Sequence, residues 1–220
     1  MSAPRQYRGG EPARRAADLL VTGLAALALA PVGAAVAAVV RWRLGAPVLF
    51  RQQRSGLHGE EFSIAKFRTM RVERYPGEPD PDRLTQLGRA LRTTSLDELP
   101  QLWNVLRGEM ALVGPRPTLP EQVVHYTARQ RGRLSVRPGI TGLAQVRLRN
   151  STGWPDRIEL DLWYVEHRSW VLDLRILALT VLRLLRPTGV TASGGINPGF
   201  PLPAEAGDRL DRGRETPAAD

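Results

Sequence analysis

The sequence predicts an α/β fold: a small, helix-rich domain with a small sheet, attached to a membrane through its N-terminal region. An uncharged run extends from Leu19 to Val40 and would span about 33 Å as a straight helix, enough to cross a bilayer. Residues 61–70 alternate polar and apolar side chains, as a half-buried strand does. Beyond position 84, apolar residues recur at helical spacing in several segments, which predicts helices packed on that sheet.

Composition divides the chain into four segments. Residues 1–12 are polar, and residues 187–220 are rich in Gly, Pro and charge, so both are predicted to be disordered. Residues 13–43 form the predicted membrane helix, and residues 44–186 form the predicted folded domain. At 220 residues the chain is long enough for one compact domain with appendages.

The apolar run allows three interpretations. A cleaved signal peptide would explain the preceding basic residues, but the run is long for one and Arg41 follows at once. In a simple transmembrane helix, Pro31 would break a backbone hydrogen bond in mid-span, and arginines at both ends give no preferred direction. A re-entrant helix kinked at Pro31, with both ends on the cytoplasmic face, satisfies both observations.

Charge and residue types exclude some kinds of functional site and favour others. The chain has no cysteine, which excludes disulfides and thiolate metal sites, and its three histidines are too scattered for a histidine-rich zinc site. The formal charge of +9 comes mostly from arginine, which suits bidentate phosphate binding. The partner could be nucleic acid, anionic lipid or a phosphorylated small molecule, and composition does not choose among them.

The strand at residues 61–70 carries basic side chains. Phe62, Ile64 and Phe67 are the residues expected to face inward, while Lys66 and Arg68 share a face. This face is either a solvated strand edge or a clamp for phosphate groups.

Two adjacent carboxylates, Asp97 and Glu98, lie near the predicted start of a helix. Ser95 and Glu98 have the spacing of a capping box, although Pro100 moves the helix start toward Leu99. In either case the positive end of the helix dipole favours ionised carboxylates, which could act as a nucleophile or as metal ligands. The simpler interpretation is helix capping. One apolar face of this helix is predicted to pack into the core: Leu96, Leu99, Trp103 and Leu106.

Later segments add further expectations. Arg116 lies between two prolines, either in a rigid surface turn or as a guanidinium held ready for a ligand. Residues 121–131 are predicted to form a polar helix, residues 137–146 a turn and a short strand, and residues 154–167 a helix. The helix at residues 170–185 should lie on an anionic membrane surface or on a soluble core, with three arginines within about an 80° arc: Arg175, Arg183 and Arg186.

Four ordered strings make the sequence recognisable: KFRTM at 66–70, TSLDELPQL at 94–102, LVGPRP at 112–117 and RPGITG at 137–142. Together with Tyr164-Val165-Glu166 and Leu172-Asp173, they resemble the bacterial sugar transferases called monotopic phosphoglycosyl transferases, in their short form. The resemblance covers roughly residues 13–186, and four motifs in order are far more specific than one. His167-Arg168 departs from the Asn-Trp found in many relatives, which leaves substrate details open.

The resemblance implies a function. The family moves a sugar 1-phosphate from a UDP-sugar to a polyprenol phosphate such as undecaprenyl phosphate and releases UMP. This is the first membrane step of glycoconjugate, lipopolysaccharide or exopolysaccharide synthesis. It implies that the Asp97–Glu98 dyad is catalytic, that Asp97 is the nucleophile of a covalent phosphosugar intermediate, and that Asp97 lies at a Mg²⁺ site. The matching motifs also assign phosphate or substrate contacts to Lys66, Arg68, Arg92, Arg116 and Arg137.

The resemblance also implies a location in the cell and a set of binding partners. The catalytic domain should face the cytoplasm at the inner leaflet, with the re-entrant helix broken at Pro31. The expected partners are the UDP-sugar, the polyprenol phosphate and membrane lipid, and nucleic acid is not expected as a partner. The sequence does not decide whether the chain forms a homodimer. Two alternatives are a non-enzymatic membrane-attached scaffold and a nucleic-acid-binding protein. The second lacks a recognisable binding motif, has only 6% aromatic residues and leaves the apolar run unexplained.

Overall fold

The computed structural model of the protein describes residues 11–148 and 153–185. The predicted disordered tail at 187–220, Arg186 and most of the predicted disordered N-terminus lie outside these residues. The helices are α1 (Glu11–Leu44), α2 (Asp80–Arg83), α3 (Gln86–Thr93), α4 (Gln101–Arg107), α5 (Pro120–Val123), α6 (Leu143–Arg147), α7 (Trp154–His167) and α8 (Trp170–Leu185). The strands are β1 (Leu49–Ser55), β2 (Glu61–Phe67), β3 (Ala111–Val113) and β4 (Gly139–Thr141).

The strands form two separate two-stranded sheets within the described part of the chain, and not one small sheet. β1 and β2 pair antiparallel as a hairpin, with Leu49 opposite Phe67 and Ser55 opposite Glu61. β3 and β4 pair parallel. The predicted helix-rich fold with little sheet is thus confirmed.

Among the residues that the structure describes, buried apolar side chains form three clusters around these strands. Phe62, Ile64 and Phe67 are all buried, as predicted. Phe62 and Ile64 pack with residues of α4 and the loop after it, whereas Phe67 packs with Val40 of α1 and Leu91 of α3. The third cluster joins β3, α6, α7 and α8: Val113, Leu143, Val146, Tyr164 and Ile176.

Helix α1 is long and apolar, and it docks on the domain near both of its ends. Near its start, Arg14 pairs with Asp173, and Arg15 donates to the carbonyl oxygens of Val105 and Leu106 at 2.6 and 3.0 Å. Near its end, Val40 is fully buried against the domain. Its most apolar window has a mean hydropathy of 2.2 and is only 11% buried, which makes α1 a candidate membrane anchor.

The predicted apolar face packs into the core only in its first half, where Leu96 and Leu99 pack against the cluster of Val40, Phe67 and Leu91, as predicted. The buried residues of α4 are Gln101, Asn104 and Val105, whereas the side chain of Trp103 is 63% exposed. The second half of the predicted face, Trp103 and Leu106, borders a cavity of about 220 Å³ between α4 and the middle of α1. Helical periodicity identified the stripe correctly, but it could not show that the end of the stripe faces α1.

Two other segment predictions were wrong. Residues 121–131 form no continuous helix: α5 ends at Val123, and a 3₁₀ segment begins at Gln130. The predicted strand up to Val146 is also absent: the strand β4 ends at Thr141, and the helix α6 begins at Leu143. Both segments are short, and tertiary contacts override weak local preferences in short elements.

Candidate active site

The two carboxylates lie on a single 3₁₀ turn, Leu96–Glu98, that precedes α4. Ser95 before this turn has φ 57°, a left-handed conformation that non-glycine residues adopt at an energetic cost. The predicted capping box does not form: the Ser95 side chain makes no capping hydrogen bond, since the helix starts only at Gln101, after Pro100. The carboxylates are therefore available for other partners.

Glu98 is held between two cations from different parts of the chain. Its Oε1 accepts from Lys66 Nζ at 2.5 Å and from Arg116 Nη2 at 2.8 Å. The charges of Arg116 and Lys66 outweigh the effect of burial and keep the pKa of Glu98 well below its usual range. Glu98 is therefore ionised at any physiological pH, and it fixes both cations beside the neighbouring carboxylate.

Asp97 has the opposite electrostatics. Its side chain is buried, with 6% of the residue exposed. Burial and the adjacent Glu98 charge raise the pKa of Asp97 to about 6, although Lys66, Arg116 and Arg92 act against the rise. Asp97 is thus ionised at neutral pH while being more basic than an ordinary aspartate, which suits a nucleophile.

The turn that carries Arg116 is fixed by close backbone packing. A Cβ at Gly114 would lie 2.5 Å from the carbonyl oxygen of Arg137, and a Cβ at Gly139 would lie 2.1 Å from the nitrogen of Gly114. Only glycine allows β3 and β4 to approach this closely. The buried Arg133 adds a hydrogen bond from Nη2 to the carbonyl oxygen of Arg116 at 3.2 Å.

Arg92 approaches the dyad from α3. Its Nε donates to Thr69 Oγ1 at 3.1 Å, and its charge acts on the pKa of Asp97. Gly88 permits this arrangement, because a Cβ there would lie 1.9 Å from the carbonyl oxygen of Thr69. Lys66, Arg92 and Arg116 thus surround the dyad.

Arg68 and Arg137 lie elsewhere. The guanidinium of Arg68 bonds to the carbonyl oxygens of Leu44, Gly45 and Ala46, at and just beyond the C-terminal end of α1. Arg137 donates from Nε to the carbonyl oxygen of Gly108 at 2.9 Å. In this structure both side chains therefore contact backbone, and a substrate contact by either remains a prediction.

Sequence reasoning passed over two further arginines. Arg54 on β1 and Arg157 on α7 both have their pKa lowered, first by burial and next by the charge of Arg116. The signal for Arg54 was its place on a strand paired with the Lys66 strand, but pairing cannot be read from one strand alone.

A magnesium ion would have one protein carboxylate to bind at this site. Over residues 11–148 and 153–185, no group of three or more His, Cys, Asp or Glu side chains could form a metal cage. Mg²⁺ is commonly held by one or two carboxylates together with substrate phosphates and water, so a lone Asp97 fits this mode. Glu98 fits less well because two cations, Lys66 and Arg116, already bond to its Oε1.

Comparison with known proteins identifies the family of the chain. Residues 10–187 match the family model of the bacterial sugar transferases. An uncharacterized sugar transferase of Bacillus subtilis, EpsL, is 52% identical over 70% of this chain and 77% of its own length. The UDP-glucose:undecaprenyl-phosphate glucose-1-phosphate transferase of Caulobacter vibrioides is 43% identical over 78% of this chain and 69% of its own length.

The chain therefore belongs to the bacterial sugar transferase family, as its motifs predicted. The relatives also confirm the predicted enzyme class, the phosphoglycosyl transferases, over a non-enzymatic scaffold. Some relatives are much longer: the chain covers 35% of the undecaprenyl-phosphate glucose phosphotransferase of Komagataeibacter xylinus, with 42% identity.

Proposed function

We propose that this protein transfers a sugar 1-phosphate from a UDP-sugar to a polyprenol phosphate in two steps through Asp97. The observation that supports it most directly is a buried, basic carboxylate beside two cations that Glu98 holds in place. UDP-glucose is the first donor to test, because several relatives are named for glucose 1-phosphate transfer to undecaprenyl phosphate. UDP-galactose is the second, because a Streptococcus agalactiae relative is named a galactosyl transferase.

In the first step, a carboxylate oxygen of Asp97 attacks the phosphorus that bears the sugar. A new bond forms between that oxygen and phosphorus, the bond to the bridging oxygen breaks, and UMP leaves with the electron pair. In the second step, a phosphate oxygen of the polyprenol phosphate attacks the same phosphorus and the Asp97 carboxylate leaves. The product is a polyprenyl diphosphate sugar, and a carboxylate nucleophile divides one difficult transfer into two easier ones.

Glu98, Lys66 and Arg116 supply electrostatics to both steps. Charge accumulates on the phosphoryl oxygens and on the departing UMP, where preorganised cations stabilise it. A carboxylate whose pKa is lowered this far is a poor general base, so the contacts favour a positioning role for Glu98. The negative charge of Glu98 also keeps Asp97 basic.

We assign the Mg²⁺ contact to Asp97, as the motif match implies. When bound there, the ion would neutralise charge on the donor diphosphate. The chain's own contribution is the orientation of Asp97 by its 3₁₀ turn and the exclusion of water by burial of its side chain.

We also propose that α1 enters and leaves the membrane on the same face, with a bend at Pro31. Its docking supports this, because Arg14 and Val40 contact one domain, whereas a spanning helix would carry one end out of reach. The cavity between α1 and α4 is lined by α1 residues on both sides of Pro31. Exposed apolar residues of α8, such as Leu174 and Leu182, support a second contact with the inner leaflet.

Single-cysteine labelling tests this topology, since the chain has no native cysteine. Arg5→Cys and Glu60→Cys should both be protected from an impermeant maleimide in intact cells. Labelling at position 5 with protection at position 60 would show that α1 spans the membrane. Pro31→Ala should shift the chain toward that spanning form, because a mid-helix proline disfavours a straight helix by about 3 kcal/mol.

The covalent step has a direct test in the absence of acceptor. Wild-type protein with Mg²⁺ and UDP-glucose should release at most about one UMP per chain and gain a hexose-phosphate mass on the peptide that contains Asp97. Asp97→Asn should bind membranes and fold, yet give neither signal. The matched control is Asp82→Asn, because Asp82 is an exposed aspartate outside the site.

Brisk turnover with acceptor but no UMP burst and no adduct would show a direct transfer. Asp97 would then serve as a metal ligand alone, and the two-step mechanism would be wrong.

A further inference from the structure

Arg54 is an arginine without a full set of partners. Its Nη2 donates to Gln52 Oε1 at 2.6 Å, while its Nε is buried and has no hydrogen-bond partner. Buried donors without an acceptor are rare in folded proteins, because the lost hydration is not replaced. This N–H group is therefore a candidate contact for a ligand.

Arg54 belongs to a group of three guanidinium groups that also includes Arg116 and Arg157, which we call the distal arginine cluster. The charge of Arg116 acts on both of the others. Glu98 and Glu121 act on Arg54, and Asp161 acts on Arg157, but Glu98 already pairs with Lys66 and Arg116, and Asp161 already pairs with Arg133. The cluster thus carries more positive than negative charge, which favours binding of an anion.

The cluster lies on the side of the dyad away from α1. The end of α1 packs on Val48 and Leu49, at the start of the hairpin, whereas Ser55 at its other end bridges to Thr118 near Arg116. At about 3.3 Å per residue, Arg54 is about 17 Å along the strand from Leu49. The end of α1 and the distal arginine cluster thus lie toward opposite ends of the hairpin.

We infer that Arg54 and Arg157, together with Arg116, bind the diphosphate of the nucleotide donor, so that they hold the phosphate that leaves as UMP. This inference rests on the proposed function, which supplies a UDP-sugar as the donor. A guanidinium presents parallel N–H groups that match two phosphate oxygens, and the unpartnered Nε of Arg54 is one such group. UDP would also relieve the mutual repulsion within the cluster.

The test is calorimetric titration of UDP, with Mg²⁺ present, into the full-length protein in detergent micelles. Arg54→Gln should weaken UDP binding about tenfold, which corresponds to loss of one charge-assisted contact. Arg157→Gln should act in the same direction from a different element, and Arg54→Lys should restore part of the affinity. The matched control is Arg51→Gln, on the same strand and exposed, which should bind UDP as the wild type does.

Kinetics separate the donor from the lipid phosphate. Arg54→Gln should raise the KM for the UDP-sugar while leaving the KM for the polyprenol phosphate within about twofold of wild type. A raised acceptor KM with unchanged UDP affinity would overturn the inference and place the lipid phosphate at this cluster. Unchanged UDP binding by both Arg54→Gln and Arg157→Gln, or equal loss in Arg51→Gln, would also overturn it.

Failure of this inference differs from failure of the proposed function. If the wild-type protein transfers sugar phosphate but Arg54→Gln and Arg157→Gln bind UDP normally, only the inference is wrong. If the wild-type protein transfers from no UDP-sugar, the proposed function is wrong, whatever the titration gives.

Discussion

Two clusters of arginine and carboxylate lie close together in this protein, and they differ in exposure. In the first, Glu98 pairs with Lys66 and Arg116, and the Arg116 side chain is 40% exposed. In the second, Asp161 of α7 pairs with Arg133 at 2.5 Å, and both side chains are only 3% exposed. The first cluster can receive a ligand from solvent, whereas the second is closed.

The closed cluster supports the open one. Arg133 also donates to the hydroxyl of Tyr126, which in turn donates to Thr118, and it contacts the carbonyl oxygen of Arg116. One buried arginine thus ties α7 to the turn that presents the Arg116 guanidinium. The comparison predicts that mutations in the closed cluster act first on stability and that mutations in the open cluster act first on activity.

The largest expected effect is on stability, from Asp161→Asn. This change leaves the buried Arg133 charge without its counterion, which typically lowers the free energy of unfolding by about 3–5 kcal/mol. Thermal unfolding of the full chain in detergent measures it. The matched control is Glu159→Gln, because Glu159 pairs with Arg129 at an exposed site on the same helix, and its loss should leave the melting temperature nearly unchanged.

A wild-type melting temperature for Asp161→Asn would show that the buried pair contributes little net stability. A lost activity at a wild-type melting temperature would instead place Asp161 in the active site and remove the distinction between the two clusters.

The second prediction concerns pH and Asp97. Its pKa rises from 3.8 in the unfolded chain to about 6 in the fold, so the fold is penalised once Asp97 ionises. This loss of folding stability is absent below about pH 4, grows as the pH rises from about 4 to about 6, and is constant above that. Asp97→Asn should therefore be more stable than wild type at pH 8, on the order of 1–3 kcal/mol, with the difference vanishing near pH 4.

The rate of the first step should follow the same ionisation. The rate constant of the UMP burst should increase about tenfold per pH unit below pH 6 and level off above, because only the ionised carboxylate attacks phosphorus. Two results would show that the burial of Asp97 does not control its ionisation. One is an Asp97→Asn variant that is less stable than wild type at pH 8, and the other is a burst rate that does not change with pH through pH 6.

The sequence predicted the chemistry of the open cluster better than its architecture. Asp97, Glu98, Lys66, Arg92 and Arg116 all carry charge in short motifs, so local sequence sufficed to select them. Their convergence depends on strand pairing and on backbone contacts, which a single sequence does not contain.

Structural features that the sequence did not predict have the same cause, because they too depend on tertiary contacts. The sequence analysis did not single out Glu78, yet it is a buried carboxylate that bonds to Arg71 and Arg74, which lower its pKa to about 2. The RPGITG motif also contains Gly139, whose contacts show a role in backbone packing that the sequence alone did not indicate, while a substrate contact by Arg137 stays a prediction. Charge patterns identify ionic residues, but only tertiary contacts separate ligand-binding residues from structural ones.

The smallest expected effect is on catalysis, from Arg116→Lys. Lysine keeps the charge but loses the planar fork, so Glu98 and a substrate phosphate can no longer be bound side by side. We expect activity to fall about tenfold, or about 1.4 kcal/mol, with the melting temperature close to wild type because the turn is held by its backbone. Arg131→Lys, an exposed arginine outside both clusters, is the control. Wild-type kinetics for Arg116→Lys would remove its guanidinium from the reaction, whereas a large loss of stability would show that the open cluster is structural after all.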